Sequence, residues 1–126
     1  MAKDKQKIMI VEDDFFMMDI YNMKLEQEGF EVIGAKDGVE ALKKLKEENI
    51  TPDLILLDIL MPFVDGLEVL KELKKDERLK KIPVVLLSNL SQKADVETGM
   101  KLGAKGYIIK SHFTPSEVLE KIKSFL

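Results

Sequence analysis

Residues 54–58 have the sequence LILLD, an unbroken apolar run that ends on a carboxylate. A strand that is apolar at every position is typical of a parallel sheet that is covered on both faces. Similar short runs recur along the chain, at Ile8–Val11, Glu31–Ile33, Val84–Leu87 and Tyr107–Ile109. Because each interval has room for one helix, the pattern predicts an α/β fold made of βαβ units around a five-stranded parallel sheet.

The intervals between these runs carry helical patterns of apolar residues. Three predicted apolar faces consist of Phe16, Ile20 and Met23, of Val39, Leu42 and Leu45, and of Leu67, Leu70 and Leu73. The pattern is weakest at residues 92–102. The last helix is predicted to begin with a capping box at Thr114, Pro115 and Glu117 and to continue through Val118, Ile122 and Phe125. We expect each of these faces to pack on the sheet.

Length and composition narrow the range of functions. A chain of 126 residues with a net charge of −3 has the size of one soluble domain, and we expect residues 1–126 to form one domain without a second. The sequence has no cysteine, which excludes disulfides, thiol redox chemistry and Cys-ligated metals.

Basic residues are spread along the chain, so direct binding to nucleic acid or membranes is not expected. The apolar run after Lys7 is too short for a signal peptide, which predicts a cytoplasmic location. The mixed-sign run Lys74–Lys81 is predicted to be a solvated loop.

Polar and charged residues follow most of the predicted strands. They are Glu12, Asp13 and Asp14 after the first strand, Asp58 after the third, Ser88 after the fourth and Lys110 after the fifth. Open parallel sheets bind their ligands beyond the carboxyl ends of the strands. These side chains are therefore expected to meet at one edge of the sheet.

This set of side chains indicates magnesium-dependent phosphoryl chemistry. Clustered carboxylates repel one another unless a cation neutralises them, and Lys110 alone does not suffice. Oxygen ligands without His or Cys favour a hard divalent ion, and a small open site favours Mg²⁺ over Ca²⁺. A carboxylate beside Mg²⁺ and a lysine can attack a phosphoryl group, and Asp58 is the predicted nucleophile. For Asp14 the simpler interpretation is the N-cap of the first helix.

The order of the motifs resembles that of the receiver domain of bacterial two-component response regulators, of the stand-alone, chemotaxis-regulator-like kind. The motifs that carry this resemblance are Ile10–Asp14, Leu56–Pro62 with Asp65 and Gly66, Ser88, and Tyr107–Lys110. The resemblance covers essentially the whole chain. It implies a flavodoxin-like (βα)5 doubly wound parallel five-stranded sheet with the strand order 2-1-3-4-5.

The resemblance also implies how the site would handle a phosphoryl group. Asp58 would accept it from the phosphohistidine of a histidine kinase or a phosphotransfer protein. The Lys110 ammonium and the Ser88 hydroxyl would bind the phosphoryl oxygens, and Tyr107 would turn inward as the hydroxyl moves. The surface of the fourth helix, fifth strand and fifth helix would then report the phosphorylated state to a partner.

A metal site is implied in the same way. Asp13 and Asp58 would bind Mg²⁺ directly, and Glu12 would bind it through a water molecule. The backbone carbonyl of Leu60 would complete the protein ligands. Mg²⁺ is thus the one cofactor that the sequence predicts.

The sequence says less about the downstream partner of the protein, and it leaves two other functions to be weighed. The sequence ends as the fifth predicted helix closes, so we expect a downstream protein partner in trans, with homodimer formation on phosphorylation as a further option. We expect no enzymatic activity beyond self-catalysed phosphotransfer and autodephosphorylation. One alternative is a phosphorylation-independent pseudo-receiver or scaffold module, against which the intact site residues argue. Another is a phosphohydrolase with an aspartyl nucleophile, although neither an Asp-x-Asp motif nor a cap domain is present.

Several residues depart from the family pattern. The segment Lys110–Phe113 lacks the proline that usually follows the strand-five lysine in a cis peptide bond, and it is one residue longer. A cis bond without proline costs about 3–4 kcal/mol, so a trans bond is predicted between Lys110 and Ser111. Leu60 and Leu90 cannot hydrogen-bond an attacking water, which predicts a long-lived phosphoryl state. Asn89 is expected to narrow access to the site.

Overall fold

The computed structural model describes residues 5–126 and forms one five-stranded parallel sheet. Residues 1–4, which include Lys3 of the basic start of the chain, lie outside the described residues. The strands are β1 (Lys7–Val11), β2 (Glu31–Ala35), β3 (Leu54–Asp58), β4 (Val84–Ser88) and β5 (Gly106–Ile109). Their order across the sheet is β2-β1-β3-β4-β5, and every pairing is parallel. The predicted fold class and strand order are confirmed.

Five α-helices connect and cover the strands. They are α1 (Phe15–Gln27), α2 (Gly38–Leu42), α3 (Gly66–Lys74), α4 (Lys93–Lys101) and α5 (Pro115–Lys123). Alternate residues of a strand point to opposite faces of a sheet, so each strand contributes to two cores. One core joins the sheet to α2 and α3, and the other joins it to α1 and α5. Within the part of the chain that the structure describes, no helix is long and apolar enough to cross a membrane.

The prediction of which α1 residues face the core is wrong. The side chains that α1 buries are those of Tyr21 and Leu25, whereas Phe16 is 79% exposed and Met23 is 55% exposed. The first turns of this helix are apolar on almost every side, so the spacing of Phe16, Ile20 and Met23 could not identify the face that packs. These three residues form a mostly exposed apolar surface, which we call the α1 stripe.

The predicted face of α2 is also partly wrong. Leu45 is fully buried, but Val39 is an exposed residue at the start of the helix. The helix continues directly into a π-helical turn, Lys43–Glu47, which rotates the following residues relative to an α-helix. The buried faces predicted for α3 and α5 are confirmed in the main, and the capping box at Thr114 and Glu117 is present.

The charged run Lys74–Lys81 is more than a solvated loop. Leu79 is fully buried, and the Arg78 guanidinium donates hydrogen bonds to the backbone carbonyls of Leu45 and Ile50. A guanidinium offers several donors in a fixed planar arrangement, so one side chain can satisfy carbonyls at the end of a helix. The loop interpretation therefore misses an arginine that ties this run to the end of the π-helical turn.

Candidate functional site

The carboxyl ends of the strands bring the predicted residues together at one edge of the sheet. Asp58 is the last residue of β3 and is buried beside Glu12, which directly follows β1. Lys110 directly follows β5, and its ammonium lies 3.0 Å from Asp58 Oδ2 and 2.6 Å from Glu12 Oε1. Residues that are far apart in sequence therefore form one pocket, as the strand-end pattern predicts.

Burial and charge oppose each other in this pocket. Burial raises the pKa of Glu12 to about 7, because the cost of desolvating its carboxylate outweighs the pairing with Lys110. Burial also acts to lower the pKa of Lys110, but the hydrogen bonds to Glu12 and Asp58 outweigh it, and the pKa is raised. One ammonium thus serves two buried carboxylates, which leaves the pocket short of positive charge.

The acidic residues have the arrangement of a metal site. Glu12, Asp13 and Asp58 each offer one carboxylate oxygen, and these oxygens lie within 4.8 Å of one another. Asp13 is the exposed member of the group, whereas Glu12 and Asp58 are buried. Carboxylate oxygens are ligands of hard divalent ions such as Mg²⁺. Leu60 lies two residues beyond Asp58 and its side chain is 56% exposed, and the metal-binding role of its carbonyl stays a prediction.

Ser88 and Tyr107 both contact the loop that follows β4. The buried Ser88 hydroxyl accepts a hydrogen bond from the Leu90 backbone N–H at 3.1 Å. The Tyr107 hydroxyl donates to the Leu90 backbone carbonyl at 2.7 Å. A tyrosine phenol is protonated at neutral pH and can donate, and burial raises the pKa of Tyr107 further. The two residues of the predicted switch are therefore coupled through one residue, although their movement remains a prediction.

One acidic residue near the pocket, Asp14, has a structural role. The Asp14 side chain accepts hydrogen bonds from the backbone N–H groups of Phe16 at 2.9 Å and Met17 at 3.2 Å. Asp14 is therefore the N-cap of α1, as predicted, and its own N–H donates to Glu12 Oε2 at 3.2 Å. This last bond links the start of the helix to a predicted metal ligand.

The turn after β5 is held by a contact that the sequence did not reveal. The Lys110–Ser111 bond is trans, as predicted, and no cis bond occurs within residues 5–126. Lys110–His112 form one turn of 3₁₀ helix. The Ser111 backbone N–H donates to Asn89 Oδ1 at 2.9 Å, which joins the loops after β4 and β5. Both residues depart from the family pattern, but nothing in the sequence links them to each other.

Three exposed phenylalanines lie near the pocket residues in the sequence, and the sequence analysis named one of them, Phe16, only as part of a predicted buried face. Phe15 and Phe16 lie at the start of α1, next to Asp14. Phe63 lies in the loop between Asp58 and α3, where it is 89% exposed. Its φ of 68° is in the left-handed region, which costs energy for a residue with a Cβ atom. The segments that follow β1 and β3 therefore each carry a buried carboxylate and, a few residues later, an exposed phenylalanine.

Comparisons with known proteins agree with this geometry. Residues 8–123 match the family model described as the response regulator receiver domain. The polar-differentiation response regulator DivK of Brucella ovis is 41% identical over 121 residues, which cover 96% of each chain. The alkaline phosphatase synthesis regulator PhoP of Bacillus subtilis is 38% identical over 121 residues. The alignment spans 96% of this chain but 48% of PhoP, so the chain matches about half the length of that relative.

A solved structure gives the same result in three dimensions. The Mn²⁺-bound form of the response regulator Rcp1 superposes with a TM-score of 0.85 at 33% identity. The superposition covers 95% of this chain and 93% of Rcp1. The family match, the relatives and the strand-end pocket all point the same way, and the chain belongs to the response regulator receiver domains of two-component systems.

Proposed function

We propose that this chain is a phosphoacceptor receiver in which Asp58 takes a phosphoryl group from the phosphohistidine of a histidine kinase or phosphotransfer protein. An Asp58 oxygen forms the new bond to phosphorus while the phosphorus–nitrogen bond breaks, and the released imidazole takes up a proton from solvent. The observation that carries this proposal is the buried Asp58 carboxylate with the Lys110 ammonium at 3.0 Å. A phosphoryl group would add negative charge to the Asp58 carboxylate. Because the Lys110 ammonium already lies beside this carboxylate, it would stabilise the added charge as it forms.

The neighbouring residues supply the charge and the donors for this transfer. The Lys110 ammonium would stabilise negative charge on the transferred oxygens, and the Ser88 hydroxyl would donate to one of them once it leaves the Leu90 N–H. Glu12, Asp13 and Asp58 would hold Mg²⁺, which supplies further positive charge when bound. The Mn²⁺ bound by the similar protein Rcp1 supports this assignment.

The surface of the chain supports a protein as the phosphodonor. The α1 stripe begins one turn from the pocket and is too exposed to contribute much to the core. Exposed apolar surface next to a reactive group favours contact with a protein partner. We assign the downstream contact, in trans or as a homodimer, to the surface of α4, β5 and α5, because Tyr107 connects that surface to the loop after Ser88. A cytoplasmic location is part of the same proposal, and no observation favours a pseudo-receiver or scaffold.

The first prediction tests the proposed function directly. Incubation with acetyl phosphate and Mg²⁺ is expected to add one phosphoryl group to the chain, because the small donor needs no docking surface. Intact-mass spectrometry followed by peptide mapping should place the group on Asp58. A chelator is expected to abolish the adduct, and Asp58→Asn is the control that cannot accept it. A chain that stays unmodified at millimolar acetyl phosphate, or an adduct on another residue, would contradict the proposal.

The second prediction concerns the lifetime of the phosphoryl state. Leu60→Gln is expected to speed hydrolysis about tenfold, because an amide near the pocket can hydrogen-bond the water that attacks phosphorus. Leu60 is preferred to Leu90 for this test, since Leu90 packs against the core and its backbone is bonded to Ser88 and Tyr107. The decay of the adduct by mass spectrometry gives the rate, and Leu60→Met serves as the apolar control. Hydrolysis that is unchanged or slower in Leu60→Gln would show that apolarity at this position does not protect the phosphoryl group.

A further inference from the structure

The loop after Ser88 and the turn after Lys110 are joined by one hydrogen bond. The Ser111 backbone N–H donates to Asn89 Oδ1 at 2.9 Å. Asn89 directly follows Ser88, and Ser111 directly follows Lys110, so the bond joins the neighbours of the two residues assigned to the phosphoryl oxygens. It lies just beyond the β4–β5 ladder, which pairs Ser88 with Ile109.

The bond exists because of two features of this chain. Residue 111 has a backbone N–H because it is not proline, and the N–H groups at the start of a short helix have no partner within that helix. Asn89 supplies the missing acceptor from the neighbouring loop. Since an N–H can only donate, the oxygen of the Asn89 carboxamide must face Ser111. Asn89 and Ser111 then line one cleft together with Lys110, Met17 and Asp14.

Two further hydrogen bonds hold the loop after β4, and both are made by the backbone of Leu90. The Ser88 hydroxyl accepts from the Leu90 N–H, and the Tyr107 hydroxyl donates to the Leu90 carbonyl. These contacts fix the loop relative to β4 and β5 but do not reach the turn that carries Lys110. Among the side-chain hydrogen bonds of residues 5–126, the Asn89 bond is the one that joins this loop to that turn.

We propose that Asn89 is a positioning residue for phosphoryl transfer, a role that rests on the proposed function of Asp58. Its side chain sets the spacing between the loop that follows Ser88 and the turn that carries Lys110, so that the Ser88 hydroxyl and the Lys110 ammonium converge on the same phosphoryl group. Positioning of this kind lowers the barrier without contact with the reacting atoms. One hydrogen bond at the surface is a modest constraint, and its loss should slow phosphorylation about threefold to tenfold.

Asn89→Leu tests the proposal, because leucine keeps the branched shape and similar bulk but has no acceptor. Phosphorylation of Asp58 by acetyl phosphate and Mg²⁺ is expected to slow about threefold to tenfold. The affinity for Mg²⁺, measured by calorimetry, is expected to be unchanged, since no side-chain hydrogen bond of the described residues joins Asn89 to a predicted metal ligand. The Ser111 amide should exchange with solvent faster, which NMR can follow. Gln92→Leu is the matched control, because Gln92 is an exposed amide in the same loop without a side-chain capping bond.

The outcomes separate this inference from the proposed function. A wild-type rate in Asn89→Leu would overturn the positioning role, and so would an equal loss in Gln92→Leu. Faster phosphorylation in Asn89→Ala, where the bulk is also removed, together with an unchanged rate in Asn89→Leu, would show that Asn89 only narrows the entrance. If the wild-type chain accepts no phosphoryl group at all, the function of Asp58 fails instead, and the Ser111 amide still reports whether the bond exists.

Discussion

Replacement of Lys110 by methionine is expected to tighten Mg²⁺ binding about tenfold while slowing phosphorylation of Asp58 about a hundredfold or more. The first effect follows from the position of the ammonium, which lies 2.6 Å from Glu12 and 3.0 Å from Asp58, on carboxylates that are also the predicted metal ligands. A fixed positive charge about 4 Å from a bound cation opposes it by about 4 kcal/mol or more at the effective dielectric constant of about 20 that applies near a protein surface, and further screening by solvent reduces that to about 1–2 kcal/mol.

The second effect has the opposite sign because the phosphoryl group is an anion. Removal of one preorganised positive group from a transition state typically costs about 10²–10³ in rate. Calorimetry with Mg²⁺ at pH 8 and the rate of adduct formation from acetyl phosphate measure the two effects on the same protein. Lys105→Met is the control, since Lys105 is exposed just before β5 and remote from the carboxylates. Weaker Mg²⁺ binding in Lys110→Met, or phosphorylation at the wild-type rate, would refute the assigned role of Lys110.

The strand ends were predictable from the sequence for a simple physical reason. A strand that is covered on both faces has to be apolar throughout, so the first polar residue after it marks the edge of the sheet. Asp58 and Ser88 each end such a run, and Glu12 and Lys110 directly follow one. The register of parallel strands then fixes which of these residues are neighbours. The positions at which the apolar runs end therefore predicted most of the residues that meet in the pocket.

The orientation of the helices was less predictable. The segment that begins at Phe15 has apolar residues on nearly all sides, so its period does not define one face, and the buried residues proved to be Tyr21 and Leu25. Which side of this helix is buried depends on how it packs against the sheet, and the apolar pattern alone does not show this. The π-helical turn Lys43–Glu47 is a similar case, because the rotation that it introduces has no sequence signature of its own.

Contacts between loops were not predictable at all. Arg78 lies in a run that the sequence predicted to be a solvated loop, and Asn89 was expected only to narrow access to the site. Their partners, the Leu45 carbonyl and the Ser111 N–H, are backbone groups whose sequence gives no sign that they need a partner. A backbone donor or acceptor lacks residue-specific chemistry, so only the three-dimensional arrangement shows which side chain satisfies it.

Replacement of Gly66 by alanine is expected to destabilise the fold by about 3 kcal/mol, because the new methyl group would overlap the backbone of the strand that carries Asp58. A Cβ atom at this position would lie 2.2 Å from the Asp58 carbonyl oxygen and 2.8 Å from the Ile59 Cα atom. The Gly66 N–H also donates to the Ile59 carbonyl at 2.8 Å, which holds the start of α3 against this segment. Backbone atoms cannot rotate away as a side chain can, so the strain has to be relieved by moving α3 or the end of β3.

Gly34→Ala is the matched control for this change. A Cβ atom at Gly34 would meet only Met18, with its Sδ at 3.5 Å and its Cε at 3.6 Å. These are ordinary contacts with a flexible side chain, so the free energy of unfolding should change by less than about 1 kcal/mol. Urea unfolding followed by circular dichroism measures both variants, and equal stability of Gly66→Ala and wild type would refute the predicted overlap. If the Gly66 variant still folds, its phosphorylation should slow as well, because the displaced segment contains Asp58 itself. The glycine next to the N-cap Asp65 is therefore required by packing, and we expect it to affect phosphorylation only through the backbone position of Asp58, the proposed nucleophile.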